Sequence, residues 1–173
     1  MPDAPDPRAV LRRGFAAGVR QLGLALELVA EDVLADEDEP IDWIAAAPDG
    51  RAWLVLLATG AAPAGLLERA LVQRAWVEAR VPDWRQLAPT LALRAGLAPG
   101  VLLVARDYER VLRVAAREIA ADGVLLARWS GDAAEPTLAL VDAPPRPRQR
   151  PTLPAPRLVS AFRTGLTDAD LAS

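Results

Sequence analysis

The chain of 173 residues contains no lysine, no histidine and no cysteine. Without histidine and lysine it lacks the side chains that most often carry protons near neutral pH. Without cysteine it has no disulfide, no thiolate nucleophile and no zinc–thiolate site. Three serines, six threonines and Tyr108 carry hydroxyls, but a dyad or triad needs a His or Lys base that the chain does not have. Strong charge of one sign is missing as well. Twenty Arg against 23 Asp and Glu leave a net charge of −3, which is not the strongly basic balance of a nonspecific nucleic-acid binder. Long apolar runs are absent, and the opening MPDAPDPRAVLRR is acidic and proline-rich where a signal peptide needs basic and then apolar residues. These absences lead us to expect a cytoplasmic bacterial protein with no membrane contact. The abundance of Ala, Arg, Leu, Pro and Gly also matches the codon bias of a GC-rich genome.

What is present suffices for one core: 52% of the residues are hydrophobic, at a length too short for two ordinary domains. Asp6 and Pro7 precede apolar residues at Leu11, Phe15, Val19 and Leu22, the stripe of an amphipathic helix that Gly23 stops. Residues 24–34 begin with apolar Leu24, Leu26 and Leu28 in alternation, which favours a strand. The acidic run Asp36, Glu37, Asp38, Glu39 and Pro40 reads as a solvated turn. Two short apolar segments, 41–47 and 52–58, flank Pro48, Asp49 and Gly50, the chemistry of a hairpin turn. Residues 66–80 have helical composition with apolar positions on two faces, so a helix buried on both sides is expected. Pro82 and Pro89 bracket an expected loop holding Trp84. Residues 101–105 read as a central strand, 108–122 as a helix ended by Gly123, and 124–129 with 137–141 as a final strand pair. The element order is therefore α-β-β-β-α-β-α-β-β, an α/β fold with one mixed central sheet flanked by helices. Residues 1–141 form the domain, 142–157 a Pro/Arg-rich linker, and 158–173 a short helical tail.

The segment 41–58, IDWIAAAPDGRAWLVLLA, resembles the central hairpin of the PD-(D/E)XK nucleases, and residues 8–129 resemble the core of these restriction-endonuclease-like proteins. The following helix and the VLLVARDY strand are also similar to the mismatch-endonuclease (NucS-like) branch. The resemblance implies a three-layer core and Mg²⁺-dependent phosphodiester cleavage. It places the family's metal-binding Asp on Asp42, its Glu on Leu56 and its Lys on Ala58. A further acid that many members carry on the first helix is missing, since residues 8–21 contain no Asp or Glu. Two acids are needed to hold the ion that lowers the pKa of a bound water, and the Lys orients the nucleophile. With hydrocarbon at both hairpin positions the chemistry is unsupported. The leading expectation is a catalytically inactive, pseudo-nuclease module with no cofactor, which binds or scaffolds an unknown protein partner.

Alternatives rest on other residues. Relocated acids beside Asp42, from Glu27, Glu31 or Asp32 on the neighbouring segment, would restore a Mg-dependent endonuclease; the plainer reading of these acids is a solvated stretch. Gln73 lies in the following helix, where family members keep a polar residue facing the site, although an exposed Gln is the commoner case. Arg110, Arg113 and Arg117 form a row that could meet phosphate in a non-cleaving DNA-binding protein, or simply face solvent. The five Trp, at 43, 53, 76, 84 and 129, read as core and interface. Together with the two-faced helix at 66–80 they suggest a homodimer. The tail from residue 142 holds five Arg and three Asp, a basic extension on an acidic body.

Overall fold

The computed structural model describes residues 7–35, 39–131 and 137–141. The linker and tail expected at 142–157 and 158–173 lie outside the described residues. Helix α1 (Pro7–Gln21) leads through Gly23, at φ +73°, into strand β1 (Glu27–Val33). Strands β2 (Ile41–Ala46) and β3 (Ala52–Leu57) form the expected hairpin, and Gly50 at φ +85° closes its turn by donating to the Ala47 carbonyl at 2.9 Å. The two-residue β4 (Ala61–Ala62) precedes helix α2 (Gly65–Leu87), and strand β5 (Gly100–Ala105) follows. The chain then forms β6 (Asp107–Tyr108), helix α3 (Arg110–Glu118), β7 (Val124–Ser130) and β8 (Thr137–Leu140).

Six strands make one mixed sheet in the order β1-β2-β3-β5-β7-β8. The β3–β5 and β5–β7 pairs are parallel, as strands joined through helices can be, and the remaining pairs are antiparallel. Alternation along each central strand divides two cores. Leu54, Leu56, Val101 and Leu103 point toward α2 and α3, whereas Trp53, Val55, Leu102 and Val104 point toward α1. The α1 stripe Leu11, Phe15, Val19 and Leu22 is buried on that second face. Each such side chain contributes roughly 1.5–3 kcal/mol by leaving water. A three-layer α/β sandwich results, with α1 alone on one side among the described residues.

Four sequence expectations need correction. Helix α2 does not stop near Arg80: it continues through Pro82 to Leu87, so Trp84 is helical rather than in a loop. Proline deletes one backbone hydrogen bond, but Val77 and Val81 are buried before it and Trp84 packs against the same core after it, and this packing holds the helix together. Nor is α2 buried on two sides. Leu66, Ala70, Gln73, Val77 and Val81 form one buried face, while Leu71 and Val72 are exposed. The next helix begins at Arg110 rather than Tyr108, which pairs in the small parallel sheet β4–β6, and a 3₁₀ turn over Ala120–Asp122 carries it to Gly123. Strand β1 starts at Glu27, with Leu24 to Leu26 outside it, and its register shifts between Leu28 and Ala30.

Tyr108 shows why the short sheet matters. Its buried hydroxyl lies 2.6 Å from the Leu103 carbonyl and 2.7 Å from that of Ala127, donating to one at a time. Burial raises its pKa above the ordinary phenol value, so the group stays neutral and acts as a peg between β5 and β7.

Candidate functional site

The β2–β3 ladder runs from the Ala46–Ala52 pair to the Trp43–Val55 pair, and Asp42 stands one residue beyond its end. There the side chain takes over from the backbone: Asp42 Oδ2 accepts the Leu57 amide hydrogen at 2.8 Å. Its other oxygen meets an Arg8 guanidinium nitrogen at 2.7 Å, delivered by the first turn of α1. Arg8 also pairs with Asp32 on β1. One helical turn on, Arg12 pairs with Glu31, which is matched across the ladder with Trp43. Asp32 has φ +52°, a left-handed conformation that asparagine and aspartate tolerate better than most residues.

From the opposite layer, α2 grips the chain that leads into β2. Arg69 pairs with the Glu39 carboxylate and donates to the Pro40 carbonyl at 2.7 Å. Gln73, one turn further, donates from Nε2 to the Glu39 carbonyl at 2.9 Å. Gln73 is only 4% exposed, so the exposed-helix reading of this residue is corrected. A cleft of about 590 Å³ opens beside these residues at the N-terminus of α2, lined by Glu39, Pro63, Leu66, Arg69, Val72 and Gln73 among others; Asp42 is not part of its wall.

Opposing forces act on the carboxyl of Asp42, a residue that is 7% exposed. Desolvation pushes its pKa above the usual carboxylate value and is the largest influence. The Leu57 amide, Arg8 and Arg69 pull it down, and Asp32 pushes it up. Burial prevails in sum.

Leu56 is fully buried and Ala58 half-buried, both against the core beneath α2 and α3. Glu31 lies beside Asp42 but is engaged by Arg12. Glu27 is matched with Ala46, four residues along β2 from Asp42, or roughly 13 Å at the rise of a strand. The acid brought to Asp42 is Asp32, through a shared arginine. Arg110, Arg113 and Arg117 sit on α3, in the layer opposite Arg8; Arg110 and Arg117 are exposed and Arg113 is half-buried.

The described residues around Asp42 do not fit a Mg²⁺ ion. A guanidinium stands where a second cation would have to approach, and among the described residues no three acids gather to hold a metal. No lysine exists to orient a water. Arginine supplies charge but does not act as a base near neutral pH. As it stands, the arrangement can hold α1 and α2 against the start of β2.

No family model and no curated protein matches the chain. Among the described residues, no helix is long and apolar enough to cross a membrane. Solved structures similar to it include a repair endonuclease from Pyrococcus abyssi, at 11% identity over 74% of this chain and 49% of that one, with a TM-score of 0.41. EndoMS in complex with double-stranded DNA is similar at 12% identity over 68% of this chain and 42% of that one, with a TM-score of 0.38. A protein of unknown function from Silicibacter pomeroyi is similar at 16% identity over 81% of this chain and 73% of that one, with a TM-score of 0.35. The chain thus spans half or less of the length of the first two and about three-quarters of the third.

Proposed function

We propose that this chain is a non-cleaving module of the restriction-endonuclease-like fold that binds or scaffolds a protein partner. Two things support the fold reading: the order helix, three-stranded meander, helix, strand, and an aspartate at the start of the second meander strand. The observation that carries the loss of cleavage is the state of Asp42. One oxygen is held by the Leu57 amide and the other by Arg8, while positions 56 and 58 present hydrocarbon. A hydrolytic site of this type needs open metal positions and at least one more acid.

The test is a cleavage assay with single-stranded, double-stranded and mismatched DNA and with RNA, in Mg²⁺ and in Mn²⁺. We expect no cleavage above that of Asp42→Ala. Metal-dependent cleavage by the parent chain that disappears in Asp42→Ala would overturn the proposal. Self-association belongs to the same reading. Leu71 and Val72 of α2 and Val111 and Val114 of α3 are exposed on the outer helix layer, and a second copy packed there would remove them from water.

A further inference from the structure

We propose that Arg8 is a protein-borne cation: delivered by α1, its guanidinium stands between Asp42 and Asp32 and supplies the positive charge that a metal ion would otherwise bring to this end of the sheet. The inference rests on the non-cleaving reading and goes beyond it. It assigns a role to a residue with no counterpart in the sequence pattern, and it makes the site independent of divalent ions.

Three observations converge on Arg8. Asp42 is buried, and a buried carboxylate needs a compensating charge. The guanidinium touches both that carboxylate and Asp32, a two-sided contact suited to its planar array of donors. Arg8 also sits in the first turn of α1, which holds no acid, where the helix dipole disfavours a positive side chain. Its position is therefore set by the carboxylates rather than by helix preference. Arg12 repeats the pattern one turn later on Glu31, and Phe15, one turn beyond, packs on Trp43 with ring centroids 5.4 Å apart. The ion pairs and the apolar stripe thus dock the same helix on the same strands. Among the described residues, the charged groups facing Asp42 are Arg8 from α1, Asp32 from β1 and Arg69 from α2.

Because Arg8 acts on Asp42 through its charge, removing it should matter most when Asp42 is ionised. The experiment is a double-mutant cycle of Arg8→Gln and Asp42→Asn on the full chain, read by thermal unfolding from acid to neutral pH and with millimolar Mn²⁺ or EDTA. We expect the parent Tm to be unmoved by Mn²⁺ or EDTA. Arg8→Gln should lower Tm by about 5 °C or more at neutral pH. That loss should shrink as pH falls and Asp42 takes up a proton, and it should be at most half as large in the Asp42→Asn background. Equal losses in both backgrounds and at every pH would overturn the assignment of Arg8 while leaving the non-cleaving reading intact. A Mn²⁺-dependent rise in the parent Tm that Asp42→Asn abolishes would also overturn it. Should Arg8→Gln fail to fold alone, rescue by Asp42→Asn supports the proposal and failure of the double variant overturns it. Asp42-dependent cleavage in the separate nuclease assay would instead overturn the reading on which the inference rests.

Discussion

At the scale of single residues, side chains that meet backbone define the site and the centre of the sheet. Gly100 opens β5 directly beneath the Trp53 indole, and a Cβ there would overlap the ring. Gly100→Ala should therefore lose about 1–3 kcal/mol, measured by urea unfolding, because a ring clamped between α1 and the sheet has little room to shift. Tyr108→Phe should cost roughly 1–3 kcal/mol in the same assay, since two strand carbonyls lose the hydroxyl that serves them. Asp42 governs a pH dependence. Its native pKa lies above the unfolded value, so the folded chain binds the extra proton between them. Its contribution to stability is then fully present below the unfolded pKa and declines as pH rises through the native one. Asp42→Asn should flatten that part of the stability–pH curve; an unchanged slope would contradict the desolvation argument. Asp42 could be singled out in the sequence because its hairpin has a recognisable turn. Of its partners, Asp32 was among the acids the sequence offered beside it, but Arg8 was not: it is distant in the chain, and no local period brings the two together. Gln73 stands out as a candidate, but its burial could not be judged from the sequence. With apolar residues at Leu71 and Val72 as well as along the buried face, α2 has no clear stripe from which to judge one polar position.

At the scale of elements, legibility followed the strength of the local signal. Helix α1 was clear because its apolar residues keep one period and a glycine ends it, and the central strands were clear because they are largely apolar runs that begin at or just after a glycine. The β4–β6 pair carries two residues on each side, too few for any alternation. The length of α2 was hidden by Pro82, where a local rule yields to tertiary packing: Trp76 and Trp84 lie two turns apart on the helix with ring centroids at 6.1 Å, spanning the proline. A proline in a helix interior is intrinsically worse than alanine by about 3 kcal/mol, partly offset by the stiffness it gives the unfolded chain. Pro82, exposed on α2, is thus a removable defect. Pro82→Ala should raise stability by about 1 kcal/mol or more in a thermal melt, and a loss would mean that the proline is itself a packing element.

At the scale of the whole molecule, the division of the sheet into two unequal cores organises everything else. Among the described residues two helices cover one face and α1 alone covers the other, so the docking of one fifteen-residue helix decides whether Trp43, Val55, Leu102 and Val104 stay dry. The outer helix layer carries the exposed Leu71, Val72, Val111 and Val114. If it mediates self-association, light scattering should give twice the chain mass at high micromolar concentration, and Val72→Asp with Val111→Asp should return it to a single chain. A monomer throughout would remove that proposal without touching the fold. The indoles follow the same division: Trp43, Trp53 and Trp129 lie in the core beneath α1, while Trp76 and Trp84 are half-buried on the α2 side. The emission spectrum is thereby a built-in gauge of one helix. Lifting α1 would wet three fluorophores at once and shift their light to the red, leaving the remaining pair as an internal reference.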